Sequence, residues 1–143
     1  MKLRVKGNSI RLRLGRSEVE RLANDGIVEE STVFGPFRHE CFAYAIAAAP
    51  ELSAVTANFA DRRLMIRVPS GMVHEWSTTD QVGIQAIQRT GNEDGLRILI
   101  EKDFECVDGT PGESQEDAFP NPQLSGTQLE TACRPAGGMG RLL

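Results

Sequence analysis

The chain has 143 residues, a quarter of them charged, and a net charge of −4, a length that suits one compact domain burying about two thirds of the surface its unfolded state exposes. Its longest uncharged apolar stretch, residues 42–50 (FAYAIAAAP), is far short of the roughly 20 residues of a membrane span. The opening MKLRVKGNSIRLRL carries Lys or Arg at positions 2, 4, 6, 11 and 13, which interrupts the apolar run a secretory leader needs, so the expectation is a cytoplasmic protein without membrane contact.

Along the chain, Leu3 and Val5, then Ile10, Leu12 and Leu14, alternate with polar residues on either side of Gly7-Asn8-Ser9, the pattern of two half-buried strands in a hairpin. Ser17 precedes Val19 and Leu22, with Glu18 and Glu20 in the first turn and Gly26 beyond the last periodic residue. That grammar starts and stops a helix over about 16–25. A strand follows from Ile27 to Val33, Gly35-Pro36 breaks it, and Phe42, Tyr44 and Ile46 alternate again. The same order then returns. Val55, Ala57 and Phe59 alternate up to a turn at Asp61-Arg62, Leu64, Ile66 and Val68 lead to Pro69, and Met72, Val73 and Trp76 give a helix one apolar face. Proline suits the head of a helix, where its missing donor is no loss. Val82, Ile84 and Ala86 form the next strand, residues 91–95 (GNEDG) turn, and Leu96, Ile98 and Ile100 alternate on towards Phe104 and Cys106.

Leu64, Ile66 and Val68 stand 54 positions after Ile10, Leu12 and Leu14, Val73 and Trp76 after Val19 and Leu22, and Leu96, Ile98 and Ile100 after Phe42, Tyr44 and Ile46. The expected fold is therefore α+β, a single domain over 1–106 of two ββαββ pseudo-repeats, 1–49 and 53–106. One residue inserted near Gln81 absorbs the slip between them. The two units share one core as a small, mostly antiparallel barrel or as paired sheets with two short helices, because neither unit buries its apolar face alone. Residues 107–143 hold six Gly and four Pro and read as an acidic tail. Whether it is disordered or partly docked through Phe119 in Ala118-Phe119-Pro120-Asn121-Pro122 stays open.

Charge is unevenly placed. Residues 1–22 carry seven Lys/Arg against two Glu, and residues 101–117 carry seven Asp/Glu against Lys102. Lys2, Arg4, Lys6, Arg11 and Arg13 occupy the polar parity of the first hairpin, with Arg16 at the helix start, and form a basic stripe of the kind that tracks phosphates or a protein partner. Arg62, Arg63 and Arg67 sit on the corresponding hairpin of the second half. The plainer reading makes these charges guards of exposed strand edges. Glu101, Asp103, Asp108, Glu113, Glu116 and Asp117 are the alternative site, for a divalent cation or small ligand needing several oxygens. Against it, Glu101, Asp103 and Glu105 lie on the outward parity and read as a solvated strand face. His39 and Cys41, two apart, are weaker metal candidates, with Cys106 as a third ligand. Three widely spaced cysteines, Cys41, Cys106 and Cys133, indicate free thiols rather than a disulfide framework.

No G-x-S-x-G, Walker A, G-x-G-x-x-G, H-E-x-x-H or EF-hand pattern is present in the sequence. No catalytic residue and no cofactor is therefore assigned, and the reading leans away from an enzyme. The opening MKLRVKGNSIRLRL, Asp80-Gln81-Val82-Gly83, the run from Ile98 to Cys106 and the motif Asp117-Ala118-Phe119-Pro120-Asn121-Pro122 resemble an uncharacterised family of short bacterial proteins over residues 1–122. That resemblance implies no activity. In topology alone, a ββαββ unit is also similar to the swapped-hairpin barrel of transition-state regulators and antitoxins, in which two chains each give one unit and basic hairpin residues contact DNA. The acidity of this chain departs from that pattern. The functional expectation is a small cytoplasmic binding or regulatory module contacting nucleic acid or protein through its basic first hairpin.

Overall fold

The computed structural model describes residues 1–104 and 116–121. Eight strands and two helices follow in the order β1 (Lys2–Lys6), β2 (Ser9–Leu14), α1 (Arg16–Asp25), β3 (Ile27–Val33), β4 (Cys41–Ala49), β5 (Thr56–Ala60), β6 (Arg63–Pro69), α2 (Ser70–Thr78), β7 (Gly83–Gln88) and β8 (Leu96–Lys102). They form an α+β domain with two four-stranded mixed sheets, ordered β1-β2-β8-β7 and β3-β4-β6-β5. Each sheet has a parallel pair at its centre, β2 with β8 and β4 with β6, flanked by antiparallel neighbours.

Alternation explains why both sheets turn one face inward. On β2 the buried residues are Ile10, Leu12 and Leu14, on β8 Ile98 and Ile100, on β6 Leu64, Ile66 and Val68, with Val28, Ile46 and Ile84 from the remaining strands. They join Val19 and Leu22 of α1 and Val73 and Trp76 of α2 in one core cluster. Burying a Val, Leu or Ile side chain stabilises by about 1.5–3 kcal/mol, so this cluster is the principal favourable term. Trp76 is fully buried and its indole N–H donates to the Val82 carbonyl at 3.1 Å, so the polar end of the ring is satisfied where it is hidden. Gly26 ends α1 at φ 85° with its N–H on the Leu22 carbonyl, a left-handed cap that glycine takes without strain.

The sheets are paired but do not close into a barrel, which corrects that half of the expectation. Two of the gaps between edge strands are spanned by side chains instead of a strand ladder. Between β5 and β7, the Gln88 amide imitates a peptide: its Oε1 accepts from the Ala57 N–H at 2.6 Å and its Nε2 donates to the Ala57 carbonyl at 2.8 Å. Beside β1 and β3, the Met1 ammonium donates to Glu18 and, at 2.9 Å, to Glu30. The Tyr44 hydroxyl donates to Glu30 at 2.7 Å and lies 2.9 Å from the Met1 carbonyl oxygen.

Alternation overstated burial at the edges. Val5 and Phe59 share the inward parity of their strands yet are 64% and 63% exposed, and Val82, read as the first residue of a strand, precedes β7 and is also exposed. These positions overhang the core at hairpin ends or outside the ladder. Among the described residues no helix is long and apolar enough to cross a membrane.

Residues 116–121 dock as a strap. Phe119 forms a parallel bridge with Phe104 and its N–H donates to the Asp103 carbonyl at 2.7 Å. Asp117 lies at the start of α1: its carbonyl accepts from the Arg16 N–H at 2.7 Å, and its carboxylate accepts from the Ser17 N–H at 2.9 Å and the Ser17 hydroxyl at 2.7 Å. The helix is therefore capped from a hundred residues away, and Ser17, expected to cap it, is a donor in its first turn. A methyl group on Gly15 would overlap the Asp117 carboxylate and crowd its carbonyl, so glycine there admits the strap.

Candidate nucleic-acid or protein interface

The outward residues of the first sheet form a grid fixed by strand register. One row runs Lys2, Arg13, Glu101 and Gly83; the next runs Arg4, Arg11, Leu99 and Gln85; the third runs Lys6, Ser9, Arg97 and Ile87. Rows are about 7 Å apart, because residues two apart on a strand share a face. The predicted basic residues Lys2, Arg4, Lys6, Arg11 and Arg13 thus come together, and Arg97 of β8 joins them. Arg16 stands apart at the head of α1, where its guanidinium donates to the Ala118 carbonyl at 3.1 Å.

Arg97 escaped the sequence reading because its membership depends on the parallel pairing of β2 with β8. Period-2 alternation marks Arg97 as outward but names no neighbour. The cations noted in the second half, Arg63 and Arg67, belong to β6 in the other sheet.

The grid is electrically graded. At one end Glu101 accepts from Arg11 Nε at 2.6 Å and Arg13 Nε at 3.1 Å, and Lys2 Nζ lies 3.1 Å from Asp103. Glu101 and Asp103 are therefore partly buried partners of the basic hairpin rather than a solvated face. At the other end Arg4, Lys6 and Arg97 have no ion-pair partner among the described residues. At that end opens a groove of about 760 Å³, lined by Arg4, Lys6, Arg11 and Arg97 together with Leu99 and Ile87. Ile87 is 71% exposed, so the floor carries apolar surface within reach of solvent.

The acidic candidates are distributed. Glu101 and Asp103 serve the basic hairpin, Asp117 caps α1, Glu116 is exposed beside it, and Asp108 and Glu113 lie outside the described residues. Asp117 is held below the usual carboxylate range: the cost of burying its charge is outweighed by the Ser17 hydrogen bonds and the Arg16 charge. Among the described residues no three His, Cys, Asp or Glu side chains converge on a cation site. His39 stacks on Phe37 with ring centroids 5.7 Å apart, Cys41 is a half-buried free thiol, and Cys106 and Cys133 lie outside the described residues.

One buried cation was not anticipated. Lys102, on the inward parity of β8, donates to the Thr79 carbonyl at 2.8 Å and sits 5.3 Å from the Phe119 ring centroid. It satisfies a carbonyl at the end of α2, as cations near helix C-termini do, while burial pushes its pKa down against the opposing pull of Asp80.

Comparison with protein families matches residues 1–123 to a family of unknown function (DUF7009), and the chain belongs to that family. The matched span includes both sheets and the docked strap. Curated proteins and solved structures give no match.

Proposed function

We propose that this chain is a non-enzymatic binding module of the bacterial cytoplasm that takes an anionic macromolecule, nucleic acid or protein, on the outer face of its first sheet. The observation that carries this reading is the groove lined by Arg4, Lys6, Arg11 and Arg97, three of which have no ion-pair partner among the described residues. Cations displayed on a fixed grid meet anions without first being ordered, and such a face raises the rate of encounter with an anionic partner.

The equivalence of the two halves belongs to this proposal. Interchanging β1 with β5, β2 with β6, β3 with β7 and β4 with β8 maps the first sheet's strand order onto the second's, read in reverse. Equated by ladder partners, Ile100 answers Ile46 at an offset of 54, while Ile84 answers Val28 at 56. The slip is two residues rather than one, as it must be if both sets of side chains are to face the core, because a one-residue slip turns every side chain over. Under this reading two copies of one scaffold diverged on their outer faces, and the basic face arose on one.

The test is fluorescence anisotropy of the full chain with a labelled single-stranded oligonucleotide and a labelled polyglutamate peptide, at low and moderate salt. Expected are binding of at least one polyanion at low salt, weakening as salt screens the charges, and a loss of tenfold or more in the double variant Arg4→Glu, Lys6→Glu. Absence of binding to both at low salt overturns the proposal.

A further inference from the structure

Resting on the anionic-partner reading above, we infer that the groove's occupant is a peptide segment of a partner protein that mixes acidic with bulky apolar residues, rather than a nucleic acid. Three observations select this chemistry. The cations do not form a continuous sheet of charge: Arg4 and Lys6 stand on edge strand β1, while Arg97, two strands away on β8, is flanked by the aliphatic Leu99 on its own strand and Ile87 on edge strand β7. A purely hydrophilic polyanion laid across such a groove satisfies the cations and leaves the apolar floor without a partner. A chain that places leucine or valine between carboxylates uses both, combining apolar with polar contacts as protein interfaces do.

The second observation is the absence of aromatic side chains from the three rows of the grid. Single-stranded nucleic acid is gripped largely by stacking its bases on such rings, and the aromatic residues of this chain that the structure describes lie elsewhere: Phe34, Phe37, Phe42, Tyr44 and Phe59 belong to the other sheet or its loops, Trp76 is buried in the core, and Phe104 and Phe119 pair at the docked strap. The third is the arginines themselves. Arg97 and Arg4 each present a planar fork that matches a carboxylate in two parallel hydrogen bonds, and this face already binds one carboxylate through arginine, Arg11 and Arg13 both donating to Glu101 Oε1. The intramolecular pair lies one row from the open end of the groove, so a partner's carboxylates extend a pattern the face has begun.

Three labelled probes of equal charge decide the matter with the full chain: a peptide of glutamates interspersed with leucines, the same peptide with every leucine replaced by serine, and an oligothymidylate. The leucine peptide is expected to bind at least tenfold more tightly than its serine counterpart. Ile87→Ser, at a position 71% exposed, is expected to remove most of that preference. Arg97→Gln is expected to weaken both peptides. Equal affinity for the two peptides overturns the inference and leaves the anionic-face reading standing. Tightest binding of the oligothymidylate also overturns it and assigns the face to nucleic acid, whereas failure of all three probes at low salt removes both.

Discussion

The two sheets share a layout, a central parallel pair between antiparallel neighbours, and differ on their outer faces. The first presents Lys2, Arg4, Lys6, Arg11, Arg13 and Arg97 against Glu101. The second presents Ala43, Ala45 and Ala47 along β4, with Arg63, Met65 and Arg67 on β6 and Glu29 on β3. There Arg63 pairs with Glu29 at 2.5 Å although β4 runs between their strands. Alanine on the intervening strand is what leaves room for that pair, and Ala45 is buried beneath such neighbours, 1% exposed. The inward faces have less latitude, since their large apolar residues, the overhanging Val5 and Phe59 apart, are packed into or against one core. The contrast teaches that packing constrains the two sheets alike while their outer faces are free to carry different chemistry, one densely basic, the other built on alanine around a single Arg63–Glu29 pair.

The largest effects are expected where the sheets are alike. Ile100→Ala and Ile46→Ala each remove a fully buried side chain from the middle of a sheet, and each is expected to cost about 2–5 kcal/mol from lost transfer energy and the cavity left behind. The outward substitutions Gln85→Ala and Asn58→Ala are expected to stay within about 0.5 kcal/mol of the parent. Urea unfolding of the four variants measures this. An Ile46→Ala cost far below that of Ile100→Ala would break the symmetry and make the second sheet the weaker half.

Much of this was legible in the sequence, and the illegible part has a physical cause. Period-2 alternation found the buried residues of β2, β6 and β8, and the capping grammar placed α1 at 16–25, because both signals are local. Strand partnership is not local. The pairing of β2 with β8 spans about ninety residues, and it alone brings Arg97 beside Arg11 and lets Glu101 reach two arginines. The sequence displayed a basic opening and an acidic stretch; which carboxylates meet which cations required the register. The role of Asp117 was likewise hidden, since no helix signal points to a cap supplied from a hundred residues away. Docking through Phe119, an isolated ring ahead of two stiffening prolines, was one of two alternatives the sequence left open.

A smaller effect separates two corresponding hairpin turns. The turn from β1 to β2 uses Gly7 at φ 55°, but the turn from β5 to β6 sets Asp61 at φ 50° and Arg62 at φ 63°. Both non-glycine residues occupy the left-handed region, which tight two-residue hairpins require and which asparagine and glycine fill most easily. Arg62→Gly is expected to stabilise the protein by up to about 1 kcal/mol, the relief of left-handed strain outweighing the added freedom of the unfolded chain. Thermal unfolding checks it. A loss of stability would show that the Arg62 side chain contributes more than its backbone costs.

The smallest expected effect distinguishes the two bridges between sheet edges. At the β1–β3 edge, burial by itself would lower the Met1 amine's pKa, but its hydrogen bonds to Glu18 and Glu30 and their charges raise it above its ordinary 8.0. Burial likewise works to raise Glu30, and the Met1 amine and Tyr44 outweigh it, leaving the carboxyl below its ordinary 4.5. The Tyr44 hydroxyl, shielded by burial and bonded to Glu30, is pushed up to about 12 and stays protonated as a donor. The amine's contribution is fully present below 8.0 and is lost as pH rises through its raised value; Glu30's is fully present above 4.5 and is lost as pH falls through its depressed value. This edge is therefore held best between those limits and loosens outside them, modestly, because Glu30 is 40% exposed and screened by solvent. The β5–β7 bridge is an uncharged amide, Gln88 on Ala57, with nothing to titrate. Hydrogen exchange, corrected for the intrinsic pH dependence of amide exchange, is expected to show protection along β3 falling at both extremes while protection of the Ala57 amide stays level. Parallel loss at the two edges would mean that they open together as one cooperative unit rather than as separate clasps.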